Sequence, residues 1–246
     1  MPSILFVLTS ASTTLTGAPT VRIVSIRSTS GRIERLLGLM SYLPEAAHPY
    51  YVLAPHATIE FASPKGPNPP LDPASVKAYE SDDESVKFLS DETVKSKLAA
   101  AKKLSEVISK DYDAIFYVGG HGPAIDLPID ADNIKLATEF YQAGKITSAV
   151  CHGPAALANV RDAGGKSIFA GKATTGFSNA EEIAMDKVKD VLFLLEDKII
   201  SLGGKYEKAA EIWEPHVVVD GNLFTGQNPA SARPIAQVVL KALLKA

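Results

Sequence analysis

Cys151 is the only cysteine among 246 residues, and it sits where two kinds of sequence meet. Lys145-Ile146-Thr147-Ser148-Ala149-Val150 before it is a short β-branched run that predicts a buried strand. His152-Gly153-Pro154-Ala155-Ala156-Leu157-Ala158 after it predicts the first turns of a helix. A thiol at such a junction faces the positive end of a helix macrodipole and free backbone N–H groups. Both would lower its pKa and stabilise an anion formed there. His152, the next residue, is the side-chain type best suited to moving protons near neutral pH. A lone cysteine is most often a small buried hydrophobe. The turn and the adjacent histidine point instead to a nucleophile.

Gly119-Gly120-His121-Gly122 follows another predicted strand. Glycines at a strand's C-terminal end let the backbone approach a ligand and aim N–H groups at it. A Gly-Gly turn alone is weak evidence. Paired with Cys151, it offers the other half of an oxyanion site, with the N–H groups of Gly120 and His152 as donors. No G-x-G-x-x-G follows a strand, so a dinucleotide fingerprint is missing. Two carboxylates are candidates for proton transfer near such a thiol. Glu45 lies in Leu43-Pro44-Glu45-Ala46-Ala47-His48-Pro49, an apolar setting between prolines. Glu182 starts a helical stretch, where a glutamate usually only complements the dipole. His48, His56 and His216 have no partners at ligand spacing, so neither a metal nor another cofactor is expected.

These groups need strands to hold them. Ile4 to Thr9, Thr58 to Ala62, Asp113 to Val118 and Ile146 to Val150 read as largely apolar strands, buried on both faces as parallel strands are. Asp91 to Ser109, Asp132 to Ala143, Asn179 to Leu202 and Pro229 to Leu244 read as helices, and Val217 to Thr225 as a hairpin around an Asp-Gly turn. Phe61 to Pro73 reads as an ordered surface loop. Alternating strands and helices predict an α/β fold with a mostly parallel sheet covered on both faces, as one domain over residues 1–246.

Composition narrows the function. Net charge is -3 with no long basic run, so nucleic-acid binding is not expected. One cysteine cannot form an internal disulfide, which fits a reducing compartment. The apolar start, Ile4 to Leu8, is too short for a signal peptide or membrane span. The expected location is the cytoplasm, with the nucleus left open.

Taken together, Ala149-Val150-Cys151-His152-Gly153-Pro154, Gly119-Gly120-His121-Gly122 and Thr175-Gly176-Phe177-Ser178-Asn179-Ala180-Glu181-Glu182 resemble the DJ-1/PfpI superfamily. Leu43 to Tyr50, Ala62 to Gly66 with Leu71-Asp72-Pro73, and Thr225 to Ser231 resemble its Hsp31-like branch, the fungal glutathione-independent glyoxalases (glyoxalase III). The resemblance implies a flavodoxin-like three-layer sandwich, usually a homodimer. It carries a Cys-His-Glu triad onto Cys151, His152 and Glu182, and a pocket glutamate beside the thiol onto Glu45. It further implies conversion of a small dicarbonyl, methylglyoxal or glyoxal, to a hydroxy acid, D-lactate from methylglyoxal, without glutathione or metal. Gly119, Gly120 and His121 would bind the substrate oxygen, and His152 or Glu45 would serve as base. A holdase chaperone, a cysteine peptidase or amidase, and a redox-sensing thiol are the alternatives on the same fold.

Two stretches depart from that pattern. Residues 21–42, with Arg22, Arg27, Arg32 and Arg35, have no counterpart in the branch. They read either as an added surface loop with a short helix or as translated intron sequence. Pro67 stands where the branch usually has a second glycine, stiffening a loop expected near the pocket.

Overall fold

Ile4-Leu5-Phe6-Val7 and Ala114-Ile115-Phe116-Tyr117 are apolar at nearly every position and have no face to offer water; all eight residues are completely buried at the centre of a parallel sheet. The computed structural model describes residues 1–13, 15 and 41–245. In chain order its elements begin with β1 (Ser3–Val7), α1 (Leu43–Leu53), β2 (Thr58–Ser63), α2 (Pro73–Ala78), α3 (Asp83–Ser90), α4 (Glu92–Ala99), β3 (Lys102–Lys103) and β4 (Ala114–Tyr117). There follow α5 (Ala131–Gln142), β5 (Ile146–Val150), β6 (Ala173–Thr174), α6 (Asn179–Ala184), α7 (Leu195–Ser201), β7 (Lys205–Tyr206), β8 (Val217–Asp220), β9 (Leu223–Gly226) and α8 (Ala232–Leu243). The main sheet runs β3-β2-β1-β4-β5-β9-β8, parallel throughout except for β8, which pairs antiparallel with β9. β6 and β7 form a separate small parallel pair.

From β1 the chain passes through α1 to β2, towards one edge; from β4 it passes through α5 to β5, towards the other. Right-handed crossovers in opposite directions put their helices on opposite faces of the sheet. Accordingly α1 packs with α3 and α8, while α5 packs on β4 and β5. The reversal lies between β1 and β4, and the crevice beyond their C-terminal ends is where an open α/β sheet binds ligands. The mostly parallel sheet with helices on both sides agrees with the expected flavodoxin-like α/β fold.

Several predicted elements differ in extent. The helix expected over Asp91 to Ser109 ends at Ala99, because Lys102–Lys103 leaves it to pair with Ala62–Ser63 as the edge strand β3. The apolar spacing of Leu98, Ala101 and Leu104 serves burial, but through a strand and a turn. The helix expected over Asn179 to Leu202 is two short ones. Met185 closes α6 onto the Glu181 carbonyl, Asp186 turns left-handed (φ 54°), and extended Leu194 precedes α7. The hairpin is present, with Asp220 opposite Leu223 and Gly221-Asn222 as its two-residue turn. Pro229–Ser231 is a 3-10 turn ahead of α8. Of the atypical stretch 21–42, only Ser41 and Tyr42 are described; the arginines at 22, 27, 32 and 35 lie outside the described residues.

Candidate active site

Cys151 directly follows β5 in the left-handed region, φ 59°, a conformation that a non-glycine residue holds only when its surroundings fix it. Both of its backbone groups are fixed: its N–H donates to the Gly226 carbonyl at 2.9 Å, and its carbonyl accepts from the Phe177 N–H at 2.9 Å. This strand-to-turn elbow lifts the side chain over the end of the sheet. Gly153–Leu157, which follows, is a 3-10 turn of five residues and not the helix expected, so little macrodipole faces the sulfur. The expected lowering of the thiol pKa is therefore not found. Burial pushes the Cys151 thiol well above its ordinary range, and a charge on neighbouring Glu45 would push it further; only the Gly120 N–H, aimed at the sulfur, works the other way.

His152 is almost wholly buried and joins the thiol to a carboxylate. Its Nδ1 lies 3.5 Å from the Cys151 sulfur and its Nε2 lies 2.6 Å from Glu182 Oε2. His121 reaches the other oxygen, Nε2 to Oε1, at 3.1 Å. Glu182 stands in the first turn of α6. Burial raises the cost of its charge, yet His152 and His121 together hold its carboxyl well below the usual range. Burial, against the pull of Glu182, holds His152 below the ordinary histidine range. A charged Glu182 can only accept, so both imidazoles donate an N–H to it. The Nε2–H of His152 then belongs to Glu182, and its Nδ1 lone pair faces the thiol. That is the arrangement of a base beside a nucleophile. The His152 ring also packs at a tilt against both His121 (centroids 4.5 Å apart) and Phe177 (4.4 Å).

Glu45 arrives from the opposite side, in the first turn of α1. It is fully buried, and neither carboxyl oxygen has a hydrogen bond of regular geometry, although the carboxyl faces the Cys151 thiol and the Gly119 N–H closely enough to feel both. Burial raises its pKa well above the ordinary value. Gly119 makes this approach possible, since a Cβ there would lie 2.0 Å from Glu45 Oε2 and 2.7 Å from Cys151 Cβ. The Gly119 carbonyl also accepts from the Tyr42 N–H at 3.0 Å, tying the start of α1 to the end of β4. Gly119 thus lies behind the thiol, whereas Gly120 and His121 line the cavity in front of it.

That cavity is about 270 Å³, and Glu45, Gly120, His121, Cys151 and His152 occupy one wall of it. Tyr42, Tyr79, Phe177, Met185, Trp213, Asn228, Pro229 and Ala230 contribute the rest, none of them singled out in the sequence for a site role. Pro67 is not part of the lining. Glu181 was also missed. It is fully buried; its Oε2 accepts from Ser178 N–H (2.9 Å) and Oγ (2.7 Å), and its Oε1 from Trp213 N–H (3.1 Å), Gln227 Nε2 (3.1 Å) and Asn228 Nδ2 (2.8 Å). Ser178-Asn179-Ala180-Glu181 is a capping box, a readable signal for the start of α6 but not for these longer reaches.

His121, His152 and Glu182 carry ligand atoms within 4.8 Å of one another, a set that could hold a metal ion. Sequence spacing does not announce this set, because the two histidines are 31 positions apart. A metal here would have to displace the N–H protons that both imidazoles give to Glu182. His48, by contrast, pairs with Asp82 at 2.9 Å on the surface of α1. No helix among the described residues is long and apolar enough to cross a membrane.

Residues 59–242 match the family model described as the DJ-1/PfpI family. The chain is 36% identical over 151 residues to "Glutathione-independent glyoxalase HSP31" of Saccharomyces cerevisiae, covering 59% of this chain and 64% of that one. It is 36% identical over 147 residues to "Glyoxalase 3" of Candida albicans, covering 57% and 62%. The matches therefore span less than two thirds of those relatives' own length. Among solved structures, the Rapid Encystment Protein 24 KDa of Francisella tularensis superposes with a TM-score of 0.83 at 34% identity, covering 99% of each chain. Glyoxalase III of Candida albicans superposes with a TM-score of 0.81 at 29% identity, covering 98% of this chain and 97% of that one.

Proposed function

The chain belongs to the DJ-1/PfpI family, and from that premise we propose that it is a glutathione-independent glyoxalase, converting methylglyoxal and water to D-lactate through a thiol adduct on Cys151. The observation that carries the reading is the meeting of Cys151, His152–Glu182 and the unpartnered Glu45 carboxyl around one small cavity. A cavity of about 270 Å³ has room for a small dicarbonyl and a few waters but not for an extended peptide, which favours this reading over a peptidase.

The chemistry follows from the protonation states. As the sulfur attacks the aldehyde carbon C1, the S–H proton passes to His152 Nδ1, and the C1=O1 electron pair moves onto O1 beside the Gly120 N–H. The imidazolium returns that proton to O1, leaving a neutral hemithioacetal. His152 Nδ1 then removes the hydrogen on C1; a C1=C2 bond forms as the ketone pair moves onto O2. The O1 proton passes to O2, and the imidazolium protonates C2 as the C1=O1 bond re-forms, giving a thioester. Water attacks C1, His152 moves its proton to the departing sulfur, and lactate leaves. Glu45, kept uncharged by burial, is assigned as a hydrogen-bond donor to sulfur or O1 and not as the base. Glu182 keeps His152 in the required tautomer.

We assign the same single domain over 1–246, a homodimer and a cytoplasmic or nuclear location on family habit and composition. Cys151→Ala tests the activity: lactate formation from methylglyoxal, followed by a stereospecific lactate assay, is expected to vanish. Substantial residual turnover in that variant would defeat the assignment.

A further inference from the structure

The hemithioacetal has two oxygens, and the groups assigned so far serve only O1. Charge develops on the second, O2, when the C1 hydrogen leaves, and an enzyme gains most by placing a donor where charge appears. Most polar groups lining the cavity are already committed. Asn228 gives its amide hydrogens to Glu181 and the Glu214 carbonyl, and His121 Nε2 is engaged by Glu182. Trp213, 41% exposed, lies towards the solvent side. Two tyrosines remain. Tyr42 immediately precedes α1, three positions before Glu45, and Tyr79 follows α2; their rings meet edge to face, with centroids 5.7 Å apart. Both line the cavity beside Glu45 and Cys151. The two hydroxyls lie close enough to feel one another, and neither has another side-chain hydrogen-bond partner among the described residues.

Resting on the glyoxalase reading, we propose that Tyr79 is a catalytic residue whose O–H hydrogen-bonds O2 of the dicarbonyl and stabilises the enediolate, with Tyr42 a positioning residue that holds the Tyr79 hydroxyl in that orientation. In this assignment Tyr42 donates to the Tyr79 oxygen, which leaves the Tyr79 hydrogen for the cavity that both rings line. No proton leaves Tyr79 in this step. Burial raises the pKa of Tyr79, and charge on Glu45 or Cys151 would raise it further, so the hydroxyl stays a donor through the working pH range. The assignment also divides labour within the site: Gly120 serves O1, Tyr79 serves O2, and His152 moves the proton between the two carbons.

The test compares the full-length wild type with Tyr79→Phe and Tyr42→Phe, both of which keep the ring and delete only the hydroxyl. Tyr79→Phe is expected to lower kcat for methylglyoxal by roughly 100-fold or more, with KM changed only a few-fold and Tm unchanged. A structural role would not alter two further readouts. With methylglyoxal deuterated at the aldehyde carbon, the isotope effect on kcat should be larger in Tyr79→Phe than in wild type. Intact-protein mass spectrometry should find the Cys151 adduct accumulating in the variant. Tyr42→Phe should lose only several-fold. A Tyr79→Phe enzyme within about 3-fold of wild-type kcat would overturn the proposal, as would a Tyr42→Phe variant more damaged than Tyr79→Phe. If the wild-type chain itself does not turn over dicarbonyls, the glyoxalase reading fails and this proposal falls with it.

Discussion

Replacing Gly119 by alanine adds one methyl group at the point where two catalytic walls meet. The new Cβ would lie 2.0 Å from Glu45 Oε2, 2.5 Å from the Val150 carbonyl oxygen and 2.7 Å from Cys151 Cβ. All three are inside the distance at which unbonded heavy atoms can rest. The Val150 oxygen is main chain of the central strand β5, whose path is fixed by pairing with β4 on one side and β9 on the other. The Cys151 backbone is held on both sides, by Gly226 and Phe177. The softest neighbour is the Glu45 side chain, so relief has to come from its carboxyl moving by an ångström or more. A displacement of that size in a reacting group costs on the order of 10²-fold in rate. Overpacking of a tight interior costs about 1–3 kcal/mol, or roughly 3–10 °C in Tm for a chain of this length. The assay is kcat/KM for methylglyoxal alongside calorimetric melting. A folded Gly119→Ala enzyme is expected to keep most of its secondary structure, melt several degrees lower and lose at least about 100-fold in kcat/KM. Wild-type kcat/KM in that variant would show that the Glu45–Cys151 approach across Gly119 has no part in catalysis.

Four further outcomes follow from the protonation states. If Glu45 acts as an uncharged donor, Glu45→Gln, which retains donor hydrogens, keeps a measurable fraction of activity while Glu45→Ala does not; equal inactivity would reassign Glu45 as the base. The folded-state pKa of Glu45 is raised, so the folded chain holds a proton that the unfolded chain releases above its ordinary carboxylate range, and stability falls as pH rises through that window. Glu45→Gln should therefore melt higher than wild type, by a margin that widens from pH 5 to pH 8, and a constant margin would refute this. Glu182→Gln removes the acceptor that fixes the His152 tautomer and should cost on the order of 10³–10⁴-fold in kcat, by the arithmetic of other buried triads. His152 sits below the ordinary histidine range, so it is still an unprotonated base at mildly acid pH; the acid limb of kcat/KM should fall below pH ~6.5, and a limb centred above that would contradict it.

Cys151 and His152 were legible because their neighbourhood is local: a β-branched strand, then a glycine-proline turn, within about a dozen residues. Glu45 and Glu182 stand out as candidates from their local setting, but their roles beside the thiol come only from the resemblance. What brings them to the thiol is the bond of the Tyr42 N–H to the Gly119 carbonyl ahead of α1 and of the Phe177 N–H to the Cys151 carbonyl ahead of α6, contacts of long sequence separation that no periodicity announces. The ionisation of the thiol was misread for the same reason. A strand-to-helix junction suggests a low pKa, but the segment after Cys151 is a short 3-10 turn, and burial dominates. Tyr79 and Trp213 stand just outside regular elements, where neither helical nor strand spacing marks a residue as cavity-facing. The overlong helices at Asp91 to Ser109 and Asn179 to Leu202 failed where sheet pairing or a left-handed aspartate overrode apolar spacing. The central strands succeeded because burial on both faces leaves little alternative to a hydrophobic run.

Glu181 takes part in no proposed step, yet it determines how the far side of the cavity can vary. One carboxylate fastens the Ser178 turn, the backbone at Trp213 and the amides of Gln227 and Asn228, segments drawn from three separate stretches of chain. Substituting any one of these attachments strands a buried charge or a buried donor among the others, so their effects on stability will be strongly non-additive. Reshaping this cavity for bulkier ligands thus means exchanging those three stretches as a matched set; transplanted singly, each would arrive without its anchor.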